Sequence, residues 1–173
     1  MNVRYSRCVG AELHTADGRL ILDFNSGYCV HNAGHNHPRI KAAIIAELQR
    51  DGAAMLQTGV PELAGVLGAR LCECAGGQLT KAFFASSGSE GVEAAIKFSR
   101  AHSGRTAMLS ARGSFHGLTC GALSLMSDAF WKDGFGPMLA EVEMVNFGAL
   151  EELAARLASK RFAAFIVEPV QVE

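Results

Sequence analysis

The sequence predicts an α/β fold: a mostly parallel sheet with flanking helices, entered through an N-terminal β-hairpin. Three observations predict it. Short apolar runs at 81–85, 106–110, 143–147 and 162–168 read as strands, and helical periodicity or turn residues fill the segments between them. Parallel strands need crossover connections, so this alternation builds a sheet with helices on its faces. Ahead of it, two extended runs flank Asp17-Gly18, a dipeptide suited to a tight type I′ turn. Hydrophobic residues make up 49% of the 173, enough for a packed core.

The elements follow in order. The hairpin covers 9–15 and 19–24, and alternation of Leu20, Leu22 and Phe24 implies one buried face. A turn-rich stretch, GYCVHNAGHNHP, leads into a helix over about 39–50 with an apolar stripe of Ile40, Ile44 and Leu48. Pro61 opens a second helix, lined by Leu63, Val66, Leu67 and Leu71 and ended by Gly76-Gly77. A third runs over 90–102 with Val92, Ala95, Ile96 and Ser99 on one side, and Leu150, Leu153, Ala154 and Leu157 mark a fourth. The organisation expected is an N-terminal segment, 1–35, followed by the first part of a larger domain, 36–173.

Composition excludes several functions. Net charge is −1 and no basic stripe is present, so neither nucleic acid nor an anionic membrane surface is an expected partner. No apolar run reaches the ~18 residues of a membrane helix, and MNVRYSRCVG lacks the apolar centre of a signal peptide. Cys8, Cys29, Cys72, Cys74 and Cys120 follow no disulfide or zinc spacing, and the simplest location is the reducing cytoplasm. His31, His35 and His37 fit no standard zinc pattern, so no metal is expected. The final apolar run meets Glu-Pro and the chain stops soon after. Such a strand belongs mid-sheet, and a truncated domain is the expectation.

The sharpest local feature is FFASSGSEGVEAAIKFSR, a strand, a small-residue turn and a helix start. Two readings stand open. Free N–H groups at a helix N-terminus attract a phosphate, Gly88 permits close approach, and Ser87 and Ser89 offer hydroxyl donors. Equally, Ser87 or Ser89 can simply cap the helix, with Glu90 favoured by the dipole. Neither GxxxxGK[ST] nor GxGxxG is present, which weakens nucleotide readings.

Placed beside its neighbours, SGSEGVEAAIKFSRAHSGR resembles the SGxEAxExAxKxAR block of class III (ornithine aminotransferase-like) aminotransferases, with Gly91 where alanine is usual. DFNSGYCVHNAGHNHPRIKAAI resembles that family's GHxHPxVxxAI block, ARGSFHGLTCGALSLM its SFHGRTxGAL segment, FWKDGFGPML its DGFGPF segment, and FAAFIVEPVQVE its AAFxVEPIQGEGG segment. The blocks occur in the family's order and span nearly the whole chain.

The resemblance implies a fold-type-I large domain, incomplete here, that binds pyridoxal 5′-phosphate. By it Ser87, Gly88 and Ser89 hold the phosphate, Phe115 lies against the cofactor ring with His116 beside it, and Glu168 stands near the ring. Tyr28 and Glu173 fall where ornithine aminotransferases carry substrate-site residues. Leu118 replaces an arginine of acetylornithine aminotransferases, which leans away from that substrate. No catalytic residue is assigned: the Schiff-base lysine and the aspartate that pairs with the pyridinium nitrogen are expected beyond residue 173, and Lys81, Lys97, Lys132 and Lys160 match no such context. The implied activity moves an amino group from an amino acid or ω-amine, ornithine-like, to a keto acid. The intact enzyme is expected to be a homodimer, and this chain alone to be inactive. The alternative is a non-catalytic module that binds phosphate compounds or a partner chain.

Overall fold

The computed structural model describes residues 2–52, 59 and 61–171. It contains two compact units, Met1–Leu67 and Gly68–Glu173. The boundary expected at 35/36 falls inside the first, where the Gly10 N–H donates to the His35 carbonyl at 2.9 Å and the His35 N–H returns the bond at 2.8 Å.

The first unit begins with a three-stranded antiparallel sheet, β1 (Tyr5–Val9), β2 (Glu12–Thr15) and β3 (Leu20–Leu22), in that order. The hairpin exists, but β1 was not anticipated as a separate strand. The turn also differs from type I′. Leu13 faces Ile21 and His14 faces Leu20, so Thr15 meets Arg19 across a three-residue loop. Gly18 takes a positive φ of 86° and Asp17 does not, the pattern of a type I turn closed by a glycine bulge. Thr15 stabilises it, its hydroxyl oxygen accepting the Arg19 N–H at 2.8 Å. The alternating face is a second correction: Leu20, Leu22 and Phe24 are exposed, because nothing among the described residues forms a second layer over them.

A single turn, α1 (Ser26–Cys29), follows with positive φ throughout. Asn25 caps it by accepting the Tyr28 N–H at 2.9 Å. Then comes α2 (Pro38–Leu48), with Pro38 at a first-turn position that needs no donor. Its stripe of Ile40, Ile44 and Leu48 forms as expected yet is exposed. α3 (Glu62–Ala75) begins after Pro61, whose carbonyl accepts the Gly65 N–H at 3.1 Å.

The second unit holds the α/β core. α4 (Gly88–Ser103), β4 (Ala107–Ala111), α5 (Cys120–Ser124), α6 (Ala129–Lys132), β5 (Val142–Val145), α7 (Leu150–Ala158) and β6 (Phe162–Ile166) run in order. The strands form a parallel sheet ordered β5-β4-β6. β4 is central and buried along its whole length. Its alternate side chains feed two cores. Ala107 and Leu109 pack with Val145, Phe162, Leu153 and Phe165 on the α7 side. Met108 packs with Ile96 and Leu125 on the α4 side. Ser110 shares that face, and its hydroxyl donates to the Leu125 carbonyl at 2.7 Å.

The run at 81–85 is not a strand. β5 and β6 occupy both edges of β4, which leaves this segment no ladder beside the strand it leads into. Its side chains pack locally instead, Phe83 edge-on to Phe98 of α4 at 5.0 Å. α5 and α6, of five and four residues, have no counterpart among the expected elements, because neither is long enough to repeat an apolar helical period.

Candidate cofactor site

The sheet order creates the site. From β4 the chain goes to β5 on one side, then returns over β4 to β6 on the other. Parallel sheets open a crevice at the carboxyl ends of strands where the winding reverses. The segments just beyond β4 and β6 contain Phe115, His116 and Glu168.

The turn expected to hold phosphate lies at the start of α4. Ser87 is extended (φ −153°, ψ 165°), and its hydroxyl oxygen accepts the Glu90 N–H at 3.2 Å. The Glu90 carboxylate accepts the Ser86 N–H at 2.6 Å. Ser87 is therefore the cap, in a close variant of the capping box, and its hydroxyl proton stays available. The N–H groups of Gly88 and Ser89 have no protein partner among the described residues. A Cβ built on Gly88 meets no atom within 4 Å. Open space thus faces the positive end of a 16-residue helix.

The wall beside it is the segment after β4, tied down along its length. Ser127 Oγ accepts the Gly113 N–H at 2.9 Å, Gln171 Nε2 donates to the Arg112 carbonyl at 2.9 Å, and Glu168 accepts the Phe115 N–H at 2.6 Å. The Phe115 ring meets Trp131 edge to face at 5.6 Å. His116 is buried, 7% exposed, and its Nε2 has no partner. Burial pushes this imidazole below its ordinary value, while the nearby Glu168 carboxylate pulls it upward. Gly117 takes φ 117°, and a Cβ there would overlap the Ser89 hydroxyl.

Ser87, Gly88, Ser89, Phe115, His116 and Glu168 therefore share one region of the second unit, linked through the Ser89–Gly117 approach and the Phe115–Glu168 bond. Tyr28 lies in the first unit, exposed on α1. Glu173 lies outside the described residues. Sequence reasoning missed Trp131, Gln171 and Glu93 as parts of this region. All three sit inside the quoted blocks, but their side-chain directions depend on the fold.

His35 Nε2 is 2.8 Å from Asp23, a local tie that holds the Asp23 carboxyl below its usual range. Among the described residues, no His, Cys, Asp and Glu group of three is placed to hold a metal. No helix among the described residues is long and apolar enough to cross a membrane.

The donor set fits a phosphorylated aromatic group: free helix N–H groups at an open glycine, an aromatic face, and one buried unpaired imidazole nitrogen. The profile of the family described as aminotransferase class-III matches residues 1–173. Aminotransferase PigE of Serratia sp. is 37% identical over 98% of this chain and 20% of its own length. Acetylornithine aminotransferase of Clostridium acetobutylicum is 31% identical over 99% of this chain and 45% of its own length. An amine transaminase from an uncultivated Pseudomonas species, solved in its pyridoxal-phosphate-bound form, superposes with a TM-score of 0.83 at 27% identity, covering 99% of this chain and 45% of that one. The chain spans less than half the length of these proteins. Sequence blocks, fold and profile agree, and the chain belongs to the class-III aminotransferase family.

Proposed function

We propose that this chain carries the phosphate-binding turn and ring-facing wall of a pyridoxal-phosphate-dependent aminotransferase. The observation that carries the reading is a buried histidine with an unpartnered Nε2, next in the chain to Gly117, which closely approaches Ser89 at the α4 N-terminus. Capping alone explains Ser87 and Glu90; it does not explain a desolvated, unsatisfied imidazole.

Each residue has a distinct task. Gly88 and Ser89 present N–H groups to the phosphate dianion, and the Ser87 and Ser89 hydroxyls add donors. Phe115, steadied by Trp131, offers its face to an electron-poor ring. Glu168 fixes Phe115 through its backbone, and His116 supplies a polar atom within a dry wall. Bound pyridoxal phosphate supplies the electron sink that lets an amino group leave one carbon skeleton and join another.

The donor class proposed is an amino acid or ω-amine of ornithine type, with a keto acid as acceptor. Tyr28 and Glu173 belong to that substrate proposal. Leu118 offers no charge to a substrate carboxylate and favours donors other than acetylornithine, although acetylornithine aminotransferases are among the relatives. A cytoplasmic homodimer belongs to the same reading. Exposed apolar rows on α2 and α3 are the kind of surface a second subunit covers.

Borohydride reduction of the chain after equilibration with pyridoxal phosphate, followed by peptide mass mapping, tests the division of labour. The expectation is reversible binding with no stoichiometric label on a single lysine. Full labelling of one lysine would show that the chain holds its own covalent anchor.

A further inference from the structure

We infer that Glu93 is a positioning residue that locks the phosphate turn and the ring-facing wall into one register; its bearing on the cofactor rests on the function proposed above.

Glu93 projects from α4, about one helical turn beyond Ser89. Its Oε1 accepts from the Thr119 hydroxyl at 2.6 Å, the Gly121 N–H at 2.8 Å and the Ala122 N–H at 3.2 Å. All three donors belong to the start of α5. Thr119, the cap residue of α5, makes no side-chain cap bond of its own. Glu93 thus does from another helix what a capping side chain does locally.

Gly121 is small for a reason specific to this contact. A Cβ at that position would overlap the Glu93 carboxylate. The wall is consequently fastened to α4 at two points on either side of Leu118: Gly117 against Ser89, and Thr119 to Ala122 against Glu93. Phe115 and His116 lie just before the first point. A carboxylate bound by three donors is a strong clamp, because hydrogen bonds to a charged acceptor are about twice as strong as neutral ones. Losing it frees the wall to shift relative to Gly88 and Ser89, while the turn itself stays capped by Ser87 and Glu90.

The test compares the full chain with Glu93→Ala, Glu93→Gln and Gly121→Ala. Amide hydrogen exchange of the cofactor-free proteins reads the clamp. Exchange at 115–122 should be at least tenfold faster in Glu93→Ala and Gly121→Ala, with 86–90 unchanged, and Glu93→Gln should recover most of the protection through its remaining acceptor. Titrations with pyridoxal phosphate and with inorganic phosphate, each followed by Trp131 emission, read the consequence. Both clamp-breaking variants should bind pyridoxal phosphate about tenfold more weakly yet keep inorganic phosphate within about twofold. Unchanged exchange in Glu93→Ala overturns the clamp whatever the cofactor does. Equal weakening of both ligands, or global loss of protection in both variants, makes Glu93 a general structural residue and overturns the register role. If exchange responds but the unsubstituted chain binds no pyridoxal phosphate, the cofactor reading fails and the positioning role falls with it.

Discussion

The Glu168 carboxylate accepts the Phe115 backbone N–H at 2.6 Å, so the segment leaving β6 fixes the segment leaving β4. The bond joins two loops that nothing in the sequence order places side by side.

Glu168→Ala should leave that N–H unpaired in a half-buried place and lower stability by about 1–3 kcal/mol. Glu168→Gln keeps an acceptor and should lose less. Urea denaturation measures the difference, with Trp131 emission reporting the neighbouring ring. A Glu168→Ala protein as stable as the parent would mean the bond contributes nothing.

Gly117 and Gly88 should respond in opposite ways to alanine. At Gly117 the side chain meets both a positive φ and the Ser89 hydroxyl, and a loss of about 1–3 kcal/mol is expected. At Gly88 there is open space, and replacing glycine in a helix contributes up to about 1 kcal/mol of stability. The same Cβ would stand where a phosphate approaches, so Gly88→Ala should be stable and bind pyridoxal phosphate at least tenfold more weakly. Thermal denaturation paired with ligand titration separates the two effects.

His116 should make stability depend on pH. Burial lowers its folded-state value beneath the ordinary 6.5, so between the two values the unfolded chain binds more protons than the folded one. Stability therefore rises with pH through that window and levels off above it, with a slope of at most about 1.4 kcal/mol per pH unit for one proton. Denaturation midpoints measured below and above 6.5 should show a loss on acidification that His116→Gln removes. An identical profile in His116→Gln would locate the dependence elsewhere.

Much of this architecture was legible from local pattern. The strands at 106–110, 143–147 and 162–168 appear close to their expected bounds, because each is a short, mostly apolar run, interrupted by Ser110 in β4 and by Glu143 in β5. The helix over 90–102 gains two residues at its start and one at its end. What failed depended on partners. The 81–85 run has the composition of a strand and no adjacent ladder. Leu20 and Leu22 alternate correctly, but alternation does not supply the layer that would bury them. In the site, Ser87 was recognised as both cap and phosphate donor, and only the geometry shows the cap in use. Glu93, Gln171 and Trp131 act across long sequence separations, and no spacing rule reports such contacts.

The central claim is that the α4 N-terminus and the Phe115 wall together bind a phosphorylated pyridine aldehyde. Titrating the chain with pyridoxal phosphate and with pyridoxal, followed by quenching of its single tryptophan, Trp131, tests it most directly. Saturable quenching by pyridoxal phosphate, at least tenfold tighter than by pyridoxal and displaced by inorganic phosphate, is the predicted result. Equal affinity for the two compounds, or quenching that phosphate does not displace, would contradict it.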